Sequence, residues 1–285
     1  MNMKKLTLKL KRKIKKGAEL AYKIPFFKKP LPRNPFGNKP WANEETYLRL
    51  HRDVIKLEDS SVRKFEKELG YSISTEWIND LALHTQVVIK DEPLNFFHGR
   101  VLYSVLSDYI NQFKKESLTP LIILETGTAR GFSSLCMSRA IIDANYPGII
   151  TTIDCIPHNE RIFWNCIDDK DGKKTRYELL SKWEEELSRI IFVQGWTKYN
   201  LNSLGLNRIN FAFLDAQHTK EDVLSEFEYI NNRQTKGDLI VFDDVTPNVF
   251  DGVCQAVAHI ENNYPYIVKN INFKEDRGYA IAKRI

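Results

Sequence analysis

From residue 120 onward, short apolar runs alternate with longer stretches whose apolar residues recur at three- and four-residue intervals. Residues 120–126, 148–154, 190–194, 209–215 and 237–243 are the runs, each of a length that suits a buried strand. After the first, Phe132, Leu135, Cys136 and Ala140 share a helical face, with Ser133 or Ser134 placed to cap its start. Strand and helix in alternation predict a mainly parallel sheet with helices on both faces, a doubly wound α/β domain. Two last runs, 266–273 and 278–284, flank Lys-Glu-Asp-Arg and predict an antiparallel hairpin at one edge, giving seven strands.

Upstream the period is helical throughout. Asn43-Glu-Glu-Thr46 and Ser74-Thr-Glu-Trp77 have the composition of helix starts, and Phe97, Val101, Val105 and Tyr109 form a four-residue stripe. Residues 41–118 are therefore expected to be a helical cap that shapes a pocket over the sheet. Its His84, His98 and Arg100 suit structural or surface roles better than chemistry. Residues 25–40 hold five of the eleven prolines, at 25, 30, 32, 35 and 40, which predicts a linker. The expected organisation is a segment and linker over 1–40, the cap over 41–118 and the α/β domain over 119–285.

Charge changes the picture at the amino terminus. Residues 1–33 hold twelve Lys/Arg against one acid, Glu19, a balance of +11 within a net charge of +5, so the remainder stands at −6. Leu6, Leu10, Ile14, Gly17, Ala21 and Ile24 lay a narrow apolar stripe along this basic segment. Residues 1–24 thus suit either peripheral contact with an anionic membrane surface or a solvated tail. An acidic body argues against nucleic acid as a partner. No run of 18 apolar residues is present, so no membrane span is expected. Four cysteines without Cys-x-x-Cys spacing fit a reducing cytoplasm, at most peripheral to the inner face of the membrane.

Candidate chemistry begins where the first strand ends. Glu125-Thr126-Gly127-Thr128-Ala129-Arg130-Gly131-Phe132-Ser133 joins strand to helix through a glycine-punctuated loop, whose free backbone N–H groups suit a polar or anionic ligand. The spacing matches neither Gly-x-Gly-x-x-Gly nor a Gly-Lys-Ser/Thr phosphate loop. Ligands of an open α/β sheet bind beyond the carboxyl ends of its strands, so polar residues there are the candidates. Asp154 ends the second strand, and its two oxygens match the vicinal hydroxyls of a ribose. Gly195 and Trp196 follow the third, with Trp196 placed either along a base or in the core. Asp215 ends the fourth, with His218 three residues beyond, and Asp243-Asp244 ends the fifth. Three carboxylates on adjacent tips repel unless a cation joins them, and hard oxygen donors favour Mg²⁺, Mn²⁺ or Ca²⁺.

Glu125-x-Gly127-x-x-x-Gly131 resembles motif I of the class I S-adenosylmethionine-dependent methyltransferases, with Ala129 where a glycine is common. Together with Leu-Asp215-Ala-Gln-His218-Thr-Lys-Glu-Asp-Val and Gly-Asp-Leu-Ile-Val-Phe-Asp243-Asp244-Val, it is similar to methyltransferase domain family 24, over about residues 120–285. That resemblance implies a seven-stranded methyltransferase sheet and an O-methyltransferase acting on a sugar, glycan or related small molecule. It implies S-adenosylmethionine held by Glu125, Thr126, Gly127, Thr128, Gly131, Ser133, Asp154, Gly195, Trp196 and Asp215. Catechol- and macrocin-type relatives imply a divalent cation, Mg²⁺ or Mn²⁺, on Asp215, Asp243 and Asp244. Catechol-type enzymes use a lysine as base three residues after the first metal aspartate; His218 stands there and is the candidate base, with a helix-start hydrogen bond as its alternative. The connection 155–189, with Pro157, His158, Arg161, Trp164, Asp168 and Asp169, is a second candidate wall of the acceptor site. Hydroxylase-associated chemistry on the same fold and a non-catalytic nucleoside-binding module remain as alternatives, and an oligomer is compatible with all of these.

Overall fold

The computed structural model describes residues 36–115, 119–272 and 278–285. The basic stretch 1–24 lies outside the described residues. Five parallel strands, β1 (Leu121–Thr126), β2 (Gly148–Asp154), β3 (Ile190–Gln194), β4 (Phe211–Leu214) and β5 (Leu239–Phe242), form the body of one sheet. β6 (Tyr266–Asn272) and β7 (Gly278–Arg284) complete it as an antiparallel pair. The order is β3-β2-β1-β4-β5-β7-β6, so β7 inserts between β5 and β6 and closes antiparallel onto β5.

The period of two along the strands divides the apolar residues between two cores. Ile123, Phe211, Phe213, Leu239 and Val241 face one layer of helices; Leu124, Ala212, Leu214, Ile240 and Phe242 face the other. Fully burying each large side chain is worth roughly 1.5–3 kcal/mol, which fixes the strand register firmly.

The first layer begins with α1 (Glu44–Val54), α2 (Ser60–Leu69), α3 (Thr75–Thr85) and α4 (Phe97–Phe113). The expected helix starts are present: Asn43 accepts the Thr46 amide at 3.0 Å and Ser74 the Trp77 amide at 3.3 Å. Tyr47, Leu81, Leu102 and Leu106 pack in the same core as Ile123 and Phe211. The helices expected as a cap are thus one layer of the sandwich. Residues at the end of the proline-rich stretch also pack: Gly37 bridges to Phe163, and the Phe36 and Trp164 rings meet edge to face at 5.6 Å.

The remaining helices are α5 (Phe132–Asp143), the short α6 (Arg176–Leu180), α7 (Glu184–Leu187) and α8 (Thr197–Asn200), then α9 (Lys220–Asn231) and α10 (Asp251–Asn263). Among the described residues, no helix is long and apolar enough to cross a membrane.

Candidate active site

Strand register alone brings the candidate residues into one row. Thr126 lies opposite both Ile153 and Leu214, and Leu214 lies opposite Phe242. The next residue on each strand, namely Gly127, Asp154, Asp215 and Asp243, therefore stands at the same carboxyl edge. Chain connectivity reverses direction across the sheet between β1 and β4, which makes this the topological switch point where α/β folds bind ligands. The tips approach closely there because residue 127 is a glycine. Its φ is +91°, and a Cβ would come 2.1 Å from the Asp215 carbonyl oxygen.

A cleft of ≈ 490 Å³, open to solvent, runs along this row. Gly127, Ala129, Asp154, Gly195, Trp196 and Asp215 are among its lining residues. Trp196 is half-buried in the cleft wall rather than in the core. Asp154 is held from both sides: Oδ2 accepts the Ala129 amide at 2.6 Å and Oδ1 accepts the Ile156 amide at 2.8 Å. Each carboxylate oxygen keeps a further lone pair for a ligand hydroxyl.

The other residues singled out around the loop lie beneath it. Glu125 is fully buried, and its two oxygens accept the hydroxyls of Ser133 and Ser134. Burial pushes its carboxyl above the ordinary value, and the two serines oppose that shift. The serines therefore do not cap α5. That helix starts at Phe132 after Gly131, whose φ of +93° makes the turn, and the serine hydroxyls reach back to β1 instead. Thr128 pairs with Thr152 at 2.5 Å, and the Thr126 hydroxyl donates to Glu226 Oε2 at 2.8 Å.

Glu226 was not among the sequence candidates. It is buried on α9 in a stripe with Val223, Phe227 and Ile230, and an acid within such a stripe is the signal that could have found it. Desolvation pushes its carboxyl up to about 7, opposed in part by Thr197 and Thr126.

The candidate metal set is regrouped by the fold. Ligand atoms of Asp215, His218 and Asp244 all lie within 4.8 Å of one another, with His218 Nε2 2.9 Å from Asp244 Oδ2. Asp243, expected as the third acid, stands outside this group. It is buried, and its Oδ1 accepts the Asp244 amide at 2.7 Å. Asp244 has a φ of +57°, so the chain leaves strand geometry at that residue, and its carboxylate meets His218 of the β4 loop. The turn is pinned by the terminal hairpin, where Val245 donates to the Gly278 carbonyl at 2.9 Å and Gly278 to Thr246 Oγ1 at 3.0 Å.

His218 stacks on Phe250 with ring centroids 4.6 Å apart. It precedes the helix cap; Thr219 itself caps α9, accepting the Asp222 amide at 3.2 Å. Asp222 bonds the Thr219 hydroxyl at 2.7 Å rather than the Thr219 amide, so only half of a capping box is formed. α10 approaches the His218 loop through Gly252, where a Cβ would meet the His218 carbonyl oxygen at 2.3 Å.

In the 155–189 connection, expected as a candidate wall of the acceptor site, Cys155 lines the cleft, while the side chains singled out further along make structural contacts. Trp164 is 1% exposed, and its backbone amide donates to Asp169 at 2.7 Å. Asp168 pairs with Lys174 at 2.8 Å and His84 at 2.5 Å, and Arg161 pairs with Glu178. Arg100 forks onto Glu66, and His98 packs on Phe132 with centroids 4.8 Å apart. None of these side chains is among those lining the cleft.

Residues 124–245 match the family model described as a methyltransferase domain. Solved structures similar to this chain include the following three. Cofactor-bound Rv0187 from MTB is 16% identical, with 73% of this chain and 86% of that chain covered and a TM-score of 0.49. The O-methyltransferase from Bacillus cereus in complex with SAH is 15% identical over 85% of this chain and 100% of that chain, TM-score 0.47. The O-methyltransferase TomG from Streptomyces achromogenes, involved in tomaymycin synthesis and in complex with SAM, is 17% identical over 70% and 92%, TM-score 0.43. No curated protein sequence matches the chain.

Proposed function

We propose, from the match of residues 124–245 to the methyltransferase domain model, that this protein uses S-adenosylmethionine to methylate a hydroxyl of a sugar, glycan or related small molecule with help from a divalent cation. The observation that carries the reading is the convergence of Asp215, His218 and Asp244 beside the cleft that also holds Gly127 and Asp154. In this reading Asp154 accepts the ribose hydroxyls, Trp196 lies along the adenine, and the Gly127–Gly131 loop receives the methionine end. Glu125, Thr126, Thr128 and Ser133 support that loop from below rather than touching the ligand.

Two carboxylates and one imidazole can hold a divalent cation: carboxylates suit Mg²⁺ and Mn²⁺, and the imidazole adds a nitrogen donor of the kind transition ions take. A cation there would be held by Asp215, His218 and Asp244 and would supply Lewis acidity toward the acceptor hydroxyl. That assigns His218 as a ligand in place of the base role expected from its spacing. Asp243 then fixes Asp244 through its amide. The acceptor oxygen forms a bond to the sulfonium methyl as the carbon–sulfur bond breaks; the neutral thioether leaves and the hydroxyl proton passes to solvent. Since the sulfonium is already activated, alignment is the chain's main contribution.

For residues 1–24 the basic balance and apolar stripe support loose contact with an anionic membrane on its cytoplasmic side. The deciding experiment is incubation with methyl-labelled S-adenosylmethionine and fractionated cell-envelope glycans, followed by location of the label. Label on a sugar oxygen is expected. Transfer only to nitrogen or carbon acceptors, or no binding of the donor, would overturn the assignment.

A further inference from the structure

Arg176 is the least explained charge near the cleft. It is the first residue of α6 and 1% exposed; among the described residues it makes no contact ion pair, and the Asp154 and Glu125 carboxylates act on it from longer range. Its Nε and Nη2 donate to the Ala129 carbonyl oxygen at 3.1 and 2.9 Å, and Nη2 reaches the Ile156 carbonyl oxygen at 3.4 Å. Ala129 and Ile156 are the two residues whose amides hold the Asp154 carboxylate. One guanidinium thus ties the carbonyl ends of the two residues whose N–H groups fix the acid. The frame closes across the loop after β1, the tip of β2 and the start of α6.

Three features favour a positioning role over plain packing. Ala129 has a φ of +45°, a conformation a non-glycine residue holds only under constraint, and its carbonyl is where Arg176 bonds twice. The guanidinium lies in a slot beside Trp164 and Phe192, at 5.5 and 5.4 Å from their ring centroids, within cation–π reach of both. The helix start behind it is itself rigid: Thr175 and Glu178 form a complete capping box. A buried arginine is a poor choice for stability alone, since an apolar side chain of similar size commonly serves as well.

We propose that Arg176 is a positioning residue for the nucleoside end of the methyl donor, acting through Ala129 and Ile156 to hold Asp154 toward the ribose hydroxyls. This rests on the cofactor assignment above. Substitution by methionine fills the slot while removing both carbonyl bonds and the charge. Lysine keeps the charge but cannot fork across two carbonyls.

The test measures, by calorimetry, the binding of S-adenosylhomocysteine and of its 2′-deoxy analogue to wild type, Arg176→Met and Arg176→Lys, with melting temperatures recorded alongside. Wild type is expected to prefer the intact ribose by roughly tenfold or more, the worth of a hydrogen bond to a charged acceptor. In Arg176→Met the affinity for S-adenosylhomocysteine falls by a similar factor and the ribose preference shrinks toward unity. Arg176→Lys falls between. A merely structural role would weaken both ligands equally, so a folded Arg176→Met protein that keeps the wild-type preference overturns the proposal. Should that variant melt below the assay temperature, Arg176→Lys is judged by the same ratio and decides. Wild type that binds neither ligand would overturn the cofactor assignment itself, a result distinct from an unchanged ratio.

Discussion

His218 Nε2 lies 2.9 Å from Asp244 Oδ2, although the two residues leave different strands, β4 and β5. An imidazole and a carboxylate meeting beside Asp215 form a donor set that neither loop could make alone. Chelation is therefore expected to abolish methyl transfer without unfolding the protein. Asp244→Asn and His218→Ala, each removing or neutralising a direct ligand, should weaken metal affinity by at least the roughly 10- to 100-fold that losing a supporting outer partner costs. Activity against added Mg²⁺ or Mn²⁺, with circular dichroism as the folding control, checks this. Full turnover in excess EDTA would remove the metal from the mechanism.

Asp154→Ala should weaken S-adenosylmethionine binding by roughly tenfold or more, because both ribose hydroxyls lose a charged acceptor. The acceptor KM should stay near its wild-type value. Unchanged donor affinity in calorimetry would take Asp154 out of the site, and tighter binding of NAD than of S-adenosylmethionine would exclude the cofactor class altogether.

Gly252→Ala tests the support behind His218. The added Cβ would stand 2.3 Å from the His218 carbonyl oxygen and 2.9 Å from the Lys220 amide nitrogen, both backbone atoms that cannot rotate away. The β4–α9 loop must shift, so turnover and metal affinity should fall together while donor binding, anchored at Asp154, holds. Wild-type metal affinity in a folded Gly252→Ala protein would show that the loop tolerates the displacement.

Glu226 gives stability a pH dependence. Its folded pKa stands at about 7 against an ordinary 4.5, raised by desolvation and by nearby Asp222 and lowered in part by Thr197, Thr126 and His218. A raised carboxyl favours the neutral form, so its contribution is complete below about pH 4.5 and is lost as pH rises through about 7. At about 1.4 kcal/mol per pKa unit, the loss is on the order of 3 kcal/mol. Melting temperature followed from weakly acidic to weakly alkaline buffer should decline in wild type, and Glu226→Gln should flatten that decline. Parallel curves for the two proteins would place the titration elsewhere.

Removal of residues 1–24 should release the protein from anionic vesicles. Each basic residue near such a surface contributes about 1 kcal/mol, and the attraction is screened by salt. Sedimentation with phosphatidylserine liposomes at low and high salt is the measurement. Equal pelleting of full-length and shortened protein, or pelleting insensitive to salt, would favour a solvated tail.

Local pattern was enough to determine the element order, the terminal hairpin and the row of polar residues at the strand tips. Strand periodicity and the glycines at 127 and 131 are written into adjacent residues, and a residue that follows a strand must stand at its end. Which side chains meet there was decided by contacts between distant parts of the chain. Asp243 and Asp244 are indistinguishable as neighbours in a sequence. The left-handed turn that sends only Asp244 toward His218 is pinned by Gly278, more than thirty residues downstream. Glu125 was legible as the end of β1, yet its bonds to Ser133 and Ser134 depend on α5 folding back over the strand. Arg176 carried no local signature of its role, and Glu226 showed only as an acid within an apolar stripe, because each acts by bridging segments that only packing brings together.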